Sequence, residues 1–139
     1  MYILDTDTLT HLHSGNPNVV ENLKALEDTD IRITVITKIE LLRGRFDFLM
    51  KASDKSQIIK AQLLLYRTEK LLSQIQILPV DGKAASNFEK LQANSKLRKI
   101  GRADILIASI SLANRAKLVT RNIRHFRLIP GLIVTNWVD

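Results

Sequence analysis

Five short apolar runs, each ending near a polar residue, constrain this chain's fold more than any other feature. The first is Tyr2-Ile3-Leu4, which stops at Asp5. The second is Ile31, Ile33 and Val35 around Thr34. Ile75-Gln76-Ile77-Leu78 is the third, closed by Pro79. Lys117-Leu118-Val119-Thr120 is the fourth, and Leu132-Ile133-Val134 the fifth. Each is too short for a helix and reads as a buried strand.

Helical patterns fill the intervals. Asn16-Pro17 is a break followed by a helix with Pro17 in its first turn. Val19, Val20, Leu23 and Leu26 give it an apolar face. Thr37 opens a helix carrying Ile39, Leu41, Leu42 and Phe46, and residues 54–73 form a third. Asp81 caps a helix with Ala84, Ala85, Phe88 and Leu91. Arg102 to Ala116 is apolar nearly all round, which predicts a buried helix. Strands alternating with helices predict an α/β domain, three layers deep, with a mainly parallel sheet of about five strands. No repeat, linker or low-complexity tract divides the 139 residues, so one domain over 1–139 is expected.

In such sheets ligands bind outside the carboxyl ends of the strands. Acids sit at those places. Asp5 and Asp7 follow the first strand, Glu40 lies early in the helix after the second, and Asp104 opens the buried helix. Asn122 follows the fourth strand. Clustered carboxylates repel one another unless a cation or a shared proton compensates. The chain has no cysteine, which excludes disulfides, thiolate metal sites and cysteine nucleophiles. Oxygen ligands suit Mg²⁺ or Mn²⁺.

Each residue also has a structural reading. Thr37-x-x-Glu40 matches a capping box, in which Glu40 serves a backbone N–H. Asp7 fits an N-cap for a helix beginning near Thr8, and Asp104 fits the positive end of a helix dipole. Asn122 fits a turn. Asp5 resists such a reading, because a carboxylate directly after three strand residues is costly to bury unpaired. His11 and His13 do not share a helical face, and His125 stands among arginines, as a surface site or a nucleic-acid contact.

The net charge of +7 is local. Residues 96–127 hold nine basic side chains against one acid, Asp104, a net of +8, while the rest is −1. A solvated face with cations at helix C-termini explains part of this. The functional reading is a footprint for a phosphate backbone, and the lone acid inside the positive segment suggests a metal site facing a polyanion. No apolar run is long enough to span a membrane, and the first ten residues lack a signal-peptide pattern.

These motifs, in this order, resemble the PIN-domain endoribonucleases, and among them the VapC-type toxins of bacterial toxin–antitoxin modules. The resemblance covers nearly the whole chain. It rests on Tyr2-Ile-Leu-Asp-Thr-Asp7, Thr37-x-x-Glu40-Leu41, Ile100-Gly-Arg-Ala-Asp104-Ile-Leu-Ile-Ala-Ser109 and Leu118-Val-Thr-Arg-Asn122. His125-Phe126, Ile129-Pro-Gly-Leu132 and Asn136-Trp137 extend it. It implies a PIN-like fold and Mg²⁺- or Mn²⁺-dependent RNA hydrolysis. It also implies a homodimer, a cognate VapB-like antitoxin and a prokaryotic cytoplasm. Asp5, Glu40 and Asp104 are implied as the catalytic metal-site acids. Asn122 stands where the family often has an acid, and Asp7 partly supplies that charge. Thr6, Thr37 or Ser109 would support the ligands, and Arg102, Arg121 and Arg124 would hold the RNA backbone. The expected reaction is in-line attack of an activated water on a phosphodiester.

Two other readings remain. Asp5-Thr-Asp7-Thr is similar to the start of haloacid-dehalogenase-like phosphatases, with Asp5 as nucleophile, although Leu9 stands where they have threonine. A non-catalytic basic RNA-binding module would keep the cationic segment and tolerate loss of the acids.

Overall fold

The structure, a computed structural model, describes residues 1–139. Its strands are β1 (Tyr2–Leu4), β2 (Ile31–Thr34), β3 (Gln76–Leu78), β4 (Lys117–Val119) and β5 (Val134–Thr135). They form one sheet in the order β3-β2-β1-β4-β5, and every neighbouring pair is parallel. Parallel pairing needs a crossover between strands. The helices α1 (Thr6–His13), α2 (Pro17–Lys24), α3 (Val35–Lys51), α4 (Lys55–Gln74), α5 (Gly82–Ala93), α6 (Arg102–Ala113) and α7 (Ile123–Phe126) supply it.

Both sheet faces are covered, as the continuous apolar strands require. Adjacent strand residues point to opposite faces. Ile3 and Leu118 enter a core with Ala84 and Leu91 of α5, Ile105, Ile107 and Ile110 of α6, and Phe126. Leu4 and Val119, the next residues along, enter a second core with Leu9, Val19, Leu41, Leu72 and Trp137. The α/β, three-layer expectation therefore holds. The α6 helix is buried along most of its length. Its Ser109 and Ser111 hydroxyls donate to the carbonyls of Ile105 and Ile107, at 2.7 and 2.8 Å, so no polar group there is left unpaired.

Several boundaries differ from the sequence expectation. β2 ends at Thr34, Val35 starts α3, and the Thr34 hydroxyl caps that helix by accepting from Thr37 N–H at 3.2 Å. Thr34 and Thr37 offer the same capping signal, and pairing of Thr34 with Leu78 in the sheet holds Thr34 at the strand end. Asp5, not Asp7, caps α1, accepting from Thr8 N–H at 2.8 Å. β5 lies later than expected, because its partners Leu118 and Val119 take Val134 and Thr135. Ile75 stays outside β3, and α6 stops at Ala113 rather than Ala116. The α7 helix has no counterpart in the sequence reading, since four residues are too few for a period to show.

Candidate active site

The sheet winds one way from β1 to β2 and β3, and the other way to β4 and β5. A crevice opens where the winding reverses, beyond the carboxyl ends of β1 and β4. A cavity of 230 Å³ lies there, lined by Asp5, Thr6, Asp7, Glu40, Asp104, Ile107, Asn122 and Phe126. All five polar residues singled out around the strand ends thus face one space.

Asp5 is 8% exposed. Its backbone N–H donates to Val119 O at 3.0 Å, which ties the end of β1 to β4. Burial raises its pKa; the Thr120 hydroxyl and the Thr8 N–H oppose that by hydrogen bonding, and Asp7 adds to it by repulsion. Asp104, in the first turn of α6, is also raised, by burial first and then by the negative charges of Asp5 and Glu40. Glu40 lies on α3, where its Oε1 accepts from the Thr6 hydroxyl at 2.7 Å. The Thr6 and Thr37 hydroxyls lie 3.1 Å apart. Because α3 begins at Val35, Thr37 is inside the helix and the capping-box reading of Glu40 fails.

No Lys or Arg pairs with Asp5, Glu40 or Asp104. Three carboxylates then share a cavity with their repulsion uncompensated, a donor set suited to a hard divalent cation. They do not close into a tight cage of three acids around one point. Mg²⁺ tolerates this, because it keeps several waters beside one or two carboxylates.

Asp7 is turned partly away, with its carboxylate 3.6 Å from His11 Nδ1 and paired with Arg121 at 3.8 Å. The Asn122 side-chain amide and His125 Nδ1 lie 3.1 Å apart, within hydrogen-bond distance. His125 acts on Asp104 by lowering its pKa. The sequence reads His125 as a surface site or a nucleic-acid contact, not as a neighbour of the acids. Its signal is the three-residue spacing from Asn122, one turn of the unforeseen α7. Ser109 is committed to Ile105 O within α6.

The cationic segment does not form one patch. Lys117 begins β4, at the amino end of the sheet, where its ammonium lies over Tyr2. Arg121 is held by Asp139 through bonds of 3.2 and 3.3 Å. The Arg102 guanidinium lies 4.9 Å from the centre of the Phe88 ring. Arg124 is exposed and makes no ion pair.

An acid-lined crevice at the switch point of a parallel sheet lies where an open α/β fold binds its ligand. The chain belongs to the PIN-domain family, which it matches over residues 2–132. It is 30% identical to Ribonuclease VapC2 of Rickettsia felis, over 99% of this chain and 98% of that protein. It is 26% identical to the tRNA(fMet)-specific endonuclease VapC of Salmonella typhimurium, over 98% and 97%. The crystal structure of VapBC2 from Rickettsia felis bound to a promoter DNA fragment superposes with a TM-score of 0.78 at 30% identity, covering 98% of each chain. DNA-bound VapBC from Salmonella typhimurium gives 0.79 at 25% identity, covering 98% and 97%. Family membership decides against the phosphatase reading.

Proposed function

We propose that this protein is an endoribonuclease, the toxin of a VapBC-type toxin–antitoxin pair, with residues 1–139 acting as one PIN domain. The VapC relatives over nearly the full chain support the nuclease and toxin assignments. The observation that carries the chemistry is the cavity of unpaired acids, Asp5, Glu40 and Asp104. These three would hold Mg²⁺ or Mn²⁺, with Asp7 and Asn122 as weaker contributors. Held there, the ion would supply Lewis-acid polarisation of a phosphoryl oxygen and activation of a water near neutral pH.

The chain's own groups do the rest. The Thr6 hydroxyl orients Glu40 by donating to Oε1. Asp5 is held from its backbone by Val119 and at its carboxylate by Thr8 N–H. Arg124 supplies a free cation for the RNA backbone. A VapB-like antitoxin, a homodimer and a prokaryotic cytoplasm complete the reading. No helix is long and apolar enough to cross a membrane.

The test is cleavage of total RNA with Mg²⁺, with and without EDTA, by the wild-type chain and by Asp5→Ala and Asp104→Ala. Chelator-sensitive cleavage lost in both variants is expected. Full activity in either variant overturns the metal-site assignment.

A further inference from the structure

A second cavity, of 280 Å³, lies between the C-terminal half of α5 and the start of α6. Phe88, Leu91, Leu97 and Ile105 form its apolar wall, and Arg98 and Arg102 provide its cations. No acid lines it. The Arg102 guanidinium lies over the Phe88 ring, 4.9 Å from its centre, at the wall of this cavity. The α6 helix separates this cavity from the acids. Asp104 and Ile107 point from one side of its first turns, and Arg102 and Ile105 from the other.

We propose that this second cavity takes a single nucleobase of the RNA strand cut at the acidic cavity, and so sets sequence preference. The inference rests on the ribonuclease reading above. A base has a flat apolar face and a polar edge, and single-stranded RNA is read by stacking such bases on aromatic rings and guanidinium planes. Phe88 and Arg102 present that platform, and Arg98 offers donors to the acceptors on the base edge. The helix between the cavities is about 10 Å across, so a strand laid over the tip of α6 reaches both within a few nucleotides. The absence of an acid and the two arginines favour a polyanion over an apolar peptide or a second copy of this chain. Arg102 then acts as a base-stacking residue, not as a phosphate clamp.

The experiment titrates the four ribonucleoside 5′-monophosphates, ribose 5-phosphate and inorganic phosphate into the full chain. NMR follows the Phe88 ring protons and the Arg102 Nε–H. At least one nucleotide should shift both signals, and the two base-free phosphates should shift neither. Phe88→Leu and Arg98→Ala should each weaken that nucleotide about tenfold, the loss of one stacking or edge contact. Equal shifts with ribose 5-phosphate or phosphate would assign the cavity to the backbone and overturn the proposal. No shift at saturating nucleotide would overturn it too, and shifts that follow protein concentration alone would assign the cavity to a second copy. In parallel, cut sites are mapped on a randomised RNA pool. A base preference at one fixed distance from the cut should disappear in both variants, and its persistence counts against the pocket. A wild-type chain that cuts no RNA removes the nuclease reading, and the NMR titration still decides whether the cavity accepts a base.

Discussion

The Thr6 hydroxyl donates to Glu40 Oε1 at 2.7 Å, joining the first turn of α1 to α3 across the acid cavity. The two residues are 34 apart in sequence. Nothing else in the structure bonds the Glu40 side chain, so this contact sets where its carboxylate points.

Thr6→Val keeps the shape of the side chain and removes the donor. Loss of a group that orients a metal ligand typically costs about 10- to 100-fold in metal affinity or activity. Mn²⁺ titration should show weaker binding in this range, and Thr6→Ser should restore it. Wild-type affinity in Thr6→Val would mean that Glu40 does not bind the ion.

The raised pKa values of Asp5 and Asp104 set the pH dependence of the metal-free protein. An acid raised in the folded state binds protons there at a pH where the unfolded chain has lost them. Stability therefore falls as pH rises from about 4, the unfolded value, through the raised folded values, and then levels off. Asp104→Asn removes a repelling charge and should raise the metal-free melting temperature at pH 7. Asp5→Ala loses the α1 cap as well, which costs about 1 kcal/mol and offsets the relief. Calorimetry without metal, from pH 4 to 8, checks the order of the three proteins.

Asn122 lines the acid cavity as a neutral residue. Asn122→Asp adds a fourth charge beside Asp5, Glu40 and Asp104. One to two kcal/mol of added attraction would tighten Mn²⁺ roughly tenfold. Isothermal titration measures it, and an unchanged affinity would place Asn122 outside the ion's reach.

The arginines should not contribute equally to RNA binding. Arg124 is free, whereas Arg121 must first leave Asp139 and Asp7. Each phosphate contact to a single strand adds about 0.7 to the slope of log affinity against log salt. Arg124→Ala should lower the slope by about that amount. Arg121→Ala should change it less, and Asp139→Asn should raise the contribution of Arg121. Equal slopes for both arginine variants would show that the Asp139 pair opens at no cost.

Much of the fold was legible because strands and helices have different apolar periods. β1, α2, α4, α5 and α6 begin within a residue of where the local signals put them, and Asp81 caps α5 as expected. The boundaries that moved are those where two neighbouring residues offer the same signal. Thr34 and Thr37 are both capping residues, as are Asp5 and Asp7, and local sequence cannot rank them. α7 and the end of β5 were hidden because four and two residues show no period. In the candidate site, the acids stood out by their places after strands or, for Asp104, at a helix start. His125 and the Arg121–Asp139 pair did not, since each depends on a neighbour supplied by the fold.

By itself, the sequence determined the layered α/β class and which acids lie near the strand ends and helix starts. Those properties follow from side-chain type and short-range order. Tertiary structure decided that Glu40 faces Thr6 instead of its own helix end, that Asp5 both caps and lines the cavity, and which arginines remain free. Such outcomes turn on the sheet order β3-β2-β1-β4-β5, which brings β1 beside β4. Pairing between residues distant in sequence depends on which strands become neighbours, and no local pattern encodes that.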